Sequence, residues 1–524
     1  MTDQTHEIDR RSFVAGALGA AAGIGALLAD GAQAQPPQGR ELGTTAGAAI
    51  PPEMRRPTTL SRLEADVRDC QVTGKVPTDL NGAFYRVGPD AQYPLAPRNI
   101  PFDGEGHVGM FRIKDGRVDY RSRYVRNERY MAQDKARRIL FPMYRNPSMD
   151  DPSVKGLSRS TANTHIINHR NYLLALKEDS PPAAMNLLTL ETVVPTYTFE
   201  GQLPSKTFTA HPKLDSRTGN MVAFGYESEG FGSDVVSMFE ITPQGKVVWN
   251  AKIQVPYVGM LHDFAVTEKH IVFYVMPLAF DEVQMKDGGP HWSWDGTKPT
   301  YFGFVRRGGD GKDVRWIQGP TRSATHVMGA FDDGDKLFVD VEMSMSNPFP
   351  FMPMRDGVRW DPVAGSSHIT RLSVDLSKRR PSAYGIEQMY PHVGALPRQD
   401  DRYNTEPYRY GFLPCPDPNA APGTGGACYA RFDHQTRTST LFNAGTESSL
   451  AECCFAPRSA DSPEGSGYLV GVATRNTEGG RADLVILDAE HLADGPVAVV
   501  HLPMRVFNQI HGWWVPEAQL PTSA

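Results

Sequence analysis

Four histidines share one kind of local setting, in the strings Thr209-Ala210-His211-Pro212-Lys213, Leu261-His262-Asp263-Phe264, Ala324-Thr325-His326-Val327-Met328 and Gln509-Ile510-His511-Gly512-Trp513. Each stands at the edge of a β-prone run among small or apolar neighbours. An imidazole buried there needs a partner, because an unpaired buried polar group costs about 1–3 kcal/mol. A backbone carbonyl would satisfy any one of them without function. Together they form a donor set of neutral imidazoles, without thiolate or carboxylate, that suits iron, copper, zinc or nickel. Their spacing carries no signature, since no HExxH-type string is present. They lie tens of residues apart, so only a fold that closes on itself brings them together.

Other polar residues offer weaker signals. Lys177 and Glu178 end the apolar run that begins at Tyr172, where charges ordinarily mark a strand's exit into water. Strand alternation would point these neighbours to opposite faces, so both serve one site only if the chain twists or bulges there. Tyr144 lies between Pro142 and Pro147, which hold the segment as ordered non-helical chain and could fix an aromatic hydroxyl in place. Asp103 and Glu105 resemble an acid/base pair, but the flanking Gly104 and Gly106 favour a hairpin turn. The five cysteines show no CxxC spacing, which argues against a thiolate metal site. Cys415 and Cys428 either bridge a Pro/Gly-rich loop or stay as thiols.

The elements that must position these groups are β-strands. A chain of 524 residues exceeds one ordinary core, and 49 glycines and 42 prolines are scattered between short Val/Ile/Phe/Tyr runs. Such runs recur at Tyr172–Lys177, Leu190–Phe199, Met221–Tyr226, Val235–Ile241, Lys246–Ile253, Ile271–Val275, Lys336–Glu342, His368–Val374, Tyr468–Thr474, Ala482–Leu487 and Val497–Pro503. Gln133–Leu140 is one of the few helical stretches. This all-β pattern fits a β-propeller of four-stranded blades, whose innermost strands converge on an axis. No repeat signature gives the blade number. A net charge of −6 and a pI near 6.2 provide no basic face for nucleic acid or an anionic membrane.

The N-terminus reads as a targeting segment. Arg10-Arg11 precedes an apolar run to Leu28, and Ala32-Gln33-Ala34 supplies an A-x-A cleavage site. The expected organisation is a twin-arginine export signal over 1–34, a flexible linker over 35–60 and a single propeller domain over 61–524, with a periplasmic product free of transmembrane segments.

The strings NGAFYRVGPD, FDGEGHVGMF, TAHPKLD, LHDFAVTEKH and IHGWWVP, in this order across nearly the whole chain after residue 60, resemble the carotenoid cleavage oxygenase family. The resemblance implies a seven-bladed β-propeller with a few helices and long loops capping the active-site face. It also implies a non-haem Fe(II) on four histidines, and O2-dependent cleavage of an alkene to carbonyls. By motif the ligands would be His211, His262, His326 and His511, with His165 set aside. The glutamates that hold the family's ligating rings match Glu178 and Glu452. A third precedes a PR-x-D-x-R-[YF] string, and Ala395 stands at that place, so one ligand would rely on water or backbone. Within the family, YRNPSMDDPSVKG and LALKEDSPP look most like the lignostilbene dioxygenase and isoeugenol oxygenase branch. That likeness gives Tyr144 and Lys177 the substrate's 4-hydroxyl and makes Phe102 a wall of the aromatic slot. The partners would be a small phenolic alkene and O2, and a homodimer is left open. Two rival readings are cleavage of a polyene or apocarotenoid, and a non-catalytic propeller binding module.

Overall fold

Short β-branched and aromatic runs interrupted by Gly, Pro and Asp turns can pair only with near neighbours, which makes small antiparallel sheets. In the computed structural model, which describes residues 62–95, 99–378, 380–421, 425–506 and 509–522, they form seven sheets of four or five strands and one two-stranded ribbon. The seven sheets are the blades of a β-propeller. Their innermost strands are His165–His169, Lys213–Leu214, Phe264–Val266, Ser323–Asp333, Arg398–Gln399, Ser448–Pro457 and His511–Pro516. Neighbouring inner strands touch, as where Ser448–Pro457 packs against both Arg398–Gln399 and His511–Pro516.

The ring is locked at two places. Gln71–Gly74 joins the outer edge of the blade that begins at Ser448, with Gln71 opposite His501. His511–Pro516 becomes the inner strand of the blade built from the chain's early strands, with His511 opposite Val87. Between blades the apolar faces interlock. Phe224, Phe264, Phe273 and Trp292 share one cluster, and each is essentially removed from water. Complete burial of such a side chain stabilises by roughly 1.5–3 kcal/mol.

Several expectations are corrected. The helix runs over Glu128–Ala136, because the Asn127 side chain caps it and Arg137 ends it in the left-handed region at φ 54°. Asp103 and Glu105 do not form a hairpin turn. Pro101–Asp103 is a single 3-10 turn and Glu105 opens the strand Glu105–Lys114, where it is buried against Arg129 at 3.0 Å and Gln133 at 2.6 Å. The run Leu190–Phe199 narrows to Thr192–Val194 ahead of Pro195. A whole blade, Arg398–Gln399, Tyr410–Pro416, Ala427–Asp433 and Thr438–Asn443, forms where no strand was expected, with the Pro/Gly-rich stretch between its second and third strands. Cys415 and Cys428 face each other there as buried thiols. Among the described residues no helix is long and apolar enough to cross a membrane. The proposed export signal and linker lie outside the described residues.

Candidate metal centre

Each of the four histidines comes from a different inner strand or the residues leading into it. His211 and His262 precede Lys213–Leu214 and Phe264–Val266, His326 lies within Ser323–Asp333, and His511 opens His511–Pro516. The pairing of Ser323–Asp333 with its neighbour slips between Ala324 and Val327, so His326 sits in a bulge, which re-aims a side chain out of the pleat. Asp263 ties three of these segments together. It accepts the Phe264 N–H at 2.7 Å and the Val327 N–H at 2.8 Å, and pairs with Lys213 Nζ at 2.7 Å.

The rings meet on the axis. Their ligand nitrogens all lie within 4.8 Å of one another, and all four residues are buried. His262 Nε2 is 3.3 Å from His211 Nε2 and 3.1 Å from His326 Nε2, and His511 Nε2 is buried with no hydrogen-bond partner. On three rings the other nitrogen faces a buried carboxylate: His262 Nδ1 with Glu178 at 2.6 Å, His326 Nδ1 with Glu342 at 2.6 Å and His511 Nδ1 with Glu452 at 2.9 Å. Carboxylates on Nδ1 fix the tautomer that turns the Nε2 lone pair inward. Lone pairs turned on one another at such separations have no proton to share and need a cation between them. Two imidazole nitrogens bound at about 2.1 Å and at right angles to each other would lie roughly 3.0 Å apart, so the cluster fits one first-row divalent metal.

At two of the rings the electrostatics favour the neutral form, and at a third they favour the protonated one. Burial, and then the neighbouring imidazoles, hold His211 and His511 well below the usual histidine range, so both rings stay neutral. Burial also works against protonating His326, but the Glu342 carboxylate outweighs it and raises that ring. Burial would raise Glu178, yet Lys177 and His262 bring it well below the ordinary carboxylate range.

Glu342 is the residue the sequence reading missed. The expectation that Ala395 leaves one ligand without a carboxylate is corrected: Glu342, on the strand Lys336–Ser344 paired with the one bearing His326, supplies it. Leu396, next to Ala395, donates its N–H to Glu342 Oε2 at 3.1 Å. A carboxylate near the end of a mostly apolar strand was the available signal, shared with Asp340 on the same strand. Glu452 sits in a bulge between Leu450 and Cys453 and also accepts the Gly512 N–H at 2.7 Å. Among the described residues no carboxylate reaches the His211 ring. His165 lies beside the cluster, with its ring 5.3 Å from His211 and 5.2 Å from His511, but its Nδ1 is 2.8 Å from the Ala210 carbonyl and it does not join the convergent set.

Next to His262 the surroundings turn aromatic. Phe349 is 6.3 Å from the His262 ring, and Phe102 meets Phe349 and Phe351 edge-on at 6.3 and 5.1 Å. The Lys177 ammonium lies 5.4 Å from the Phe102 centroid and 4.8 Å from that of Tyr144. The strand that leads to Lys177 ends at Leu176, so no bulge is needed. Lys177 and Glu178 both turn inward, are buried, and meet at 3.3 Å instead of leaving for water. Lys177 also donates to Thr164 Oγ1 at 3.3 Å. The Tyr144 hydroxyl is buried with no partner, and burial, then the Glu178 charge, keep it protonated far above the usual phenol range.

Many known proteins are similar to this chain. Lignostilbene-alpha,beta-dioxygenase isozyme III of Sphingomonas paucimobilis is 40% identical over 477 residues, covering 88% of this chain and 96% of that one. Isoeugenol monooxygenase of Pseudomonas putida is 37% identical over 461 residues, covering 87% and 96%. The crystal structure of Pseudomonas brassicacearum lignostilbene dioxygenase superposes with a TM-score of 0.83 at 38% identity, over 87% of this chain and 96% of that one. Residues 59–516 match the family described as retinal pigment epithelial membrane protein (RPE65), and the chain therefore belongs to the RPE65, or carotenoid cleavage oxygenase, family.

Proposed function

We propose that this protein is an Fe(II) oxygenase that cleaves the C=C bond of a para-hydroxyphenyl alkene, a stilbene or phenylpropene, to two carbonyl compounds. The observation that carries the reading is the buried pair Lys177 and Tyr144 beside Phe102, in a run of aromatic rings that reaches the His262 ring. The reaction balances as R–CH=CH–R′ plus O2 giving R–CHO and R′–CHO. When bound by His211, His262, His326 and His511, ferrous iron supplies the redox chemistry by which O2 reacts with an alkene.

The chain's own residues do the rest. Phe102, Phe349 and Phe351 present ring edges and faces that hold a flat aryl alkene and exclude water. The Tyr144 hydroxyl, lacking a protein partner, is free to donate to the substrate's 4-oxygen. The Lys177 ammonium favours the phenolate form of that oxygen, and electron density released from a phenolate passes through the ring to the double bond. Glu178 links the two ends of the site, since one carboxylate faces both Lys177 and the His262 ring. A polyene has no oxygen for this pair to recognise.

The test compares turnover of trans-4-hydroxystilbene with its 4-methoxy analogue, with aldehydes identified by mass. Preference for the phenol is expected; equal rates would remove the role given to Lys177 and Tyr144. Export is also part of the proposal, supported by Arg10-Arg11 ahead of the apolar run and the Ala32-Gln33-Ala34 site. Replacing both arginines by lysine is expected to keep the protein in the cytoplasm, and unchanged periplasmic recovery would contradict it.

A further inference from the structure

Tyr144 owes its place to its neighbour. Arg145 is a fully buried arginine with φ 50°, in the left-handed region, which costs a non-glycine residue on the order of 1–3 kcal/mol unless its surroundings enforce it. Here the guanidinium pairs with Glu227, faces the Tyr226 hydroxyl at 3.4 Å, and lies over the rings of Tyr226, Trp292 and Phe231 at 5.0, 5.4 and 5.8 Å. Glu227 is fixed in turn by His291 Nε2 at 3.0 and 3.1 Å and by the Gly232 N–H at 2.6 Å. On the other side, Asn146 Nδ2 donates to the carbonyls of Met285 and Gly289 at 2.8 and 2.9 Å. The two residues after Tyr144 are thus anchored by buried polar contacts on both sides.

A buried ion pair is a weak source of stability compared with apolar residues of similar volume. This one stands directly behind a buried hydroxyl that has no partner of its own. Resting on the phenolic reading above, we propose that Arg145 is a specificity-determining positioning residue. Locked by Glu227 and His291, it enforces the backbone conformation that aims the Tyr144 hydroxyl at the 4-oxygen of the ligand. It acts through Tyr144, so it should govern which end group is accepted and leave the reacting carbons untouched.

The experiment is equilibrium binding of trans-4-hydroxystilbene and trans-4-methoxystilbene to the anaerobic Fe(II)-loaded protein, followed by fluorescence, so that no turnover is needed. Wild type is expected to prefer the phenol. Arg145→Met is expected to reduce that preference on the order of tenfold, the worth of one hydrogen bond in a buried site, and to raise KM more than it lowers kcat. In a Tyr144→Phe background Arg145→Met should change the preference no further. His291→Asn, which keeps the charge pair, should move it in the same direction by less. An unchanged preference in Arg145→Met of native circular dichroism, or full additivity with Tyr144→Phe, would overturn the inference. If Arg145→Met does not fold, an unchanged preference in both His291→Asn and Phe231→Ala would do the same. A wild type that does not distinguish the two ligands would instead remove the phenolic reading beneath it.

Discussion

Replacing Glu342 by alanine should weaken metal binding as strongly as losing either glutamate matched by motif. Its Oε2 faces His326 Nδ1 at 2.6 Å and accepts the Leu396 N–H at 3.1 Å, in a position only 4% exposed. Without it the His326 ring loses the partner that fixes its tautomer and orientation. Such partners typically account for roughly 10–100-fold in metal affinity, which is about 1.4–2.7 kcal/mol. The N–H left unpaired adds a separate folding cost of about 1–3 kcal/mol. Glu342→Gln should lose less, because the amide oxygen can still accept from Nδ1. The assay is anaerobic Fe(II) or Co(II) titration against a competing chelator, with urea denaturation of the metal-free protein read alongside. Ala395→Ser, at the place where the family's motif has glutamate, should leave the affinity unchanged. Wild-type affinity in Glu342→Ala, or an equal loss in Ala395→Ser, would refute the assignment of this carboxylate to His326.

Asp263→Ala removes the acceptor shared by the Phe264 and Val327 N–H groups and by Lys213, and is expected to destabilise by about 1–3 kcal/mol in urea while also lowering metal affinity. Lys177→Met should abolish the preference for 4-hydroxystilbene over 4-methoxystilbene while retaining metal, which chelator competition and paired rate measurements will show. Burial works to raise the Glu227 carboxyl, but His291 and Arg145 outweigh it and bring it from an ordinary 4.5 to about 2. Its contribution, roughly 3 kcal/mol, should be complete above about pH 5 and fall away as the pH drops toward 2, because the unfolded chain takes up that proton first. Denaturation at pH 3, 4 and 6 should show this slope in the wild type and a flatter one in Glu227→Gln.

How far the sequence reaches is clearest at particular residues. His211, His262, His326 and His511 were legible because short local strings surround each of them, and a propeller was legible because strand and turn signals alternate through the whole chain. Seven blades came from family likeness alone, since antiparallel pairing leaves no spacing that counts them. Glu342 was missed because its role depends on register. Opposite Ile369 in one strand pair and near a bulge in the next, its side chain reaches His326 through geometry that no spacing encodes. Lys177 and Glu178 defeated the alternation rule because the strand stops one residue earlier. The blade from Arg398 to Asn443 was hidden by proline and glycine, which mark its turns and edges more than its strands.

The second lock of the ring has a consequence for assembly. His511 belongs to the last strand of the chain, which pairs with Gly82–Asp90 and follows every strand of the six other blades in sequence, and Glu452, which steadies it, comes from the blade just before. Three imidazoles can gather on a nascent, still open circle, whereas the fourth arrives only with the final zip. Full-strength capture of the ion is therefore a checkpoint on completed folding, and a chain arrested before that strand would hold its metal loosely and surrender it to any competing chelator.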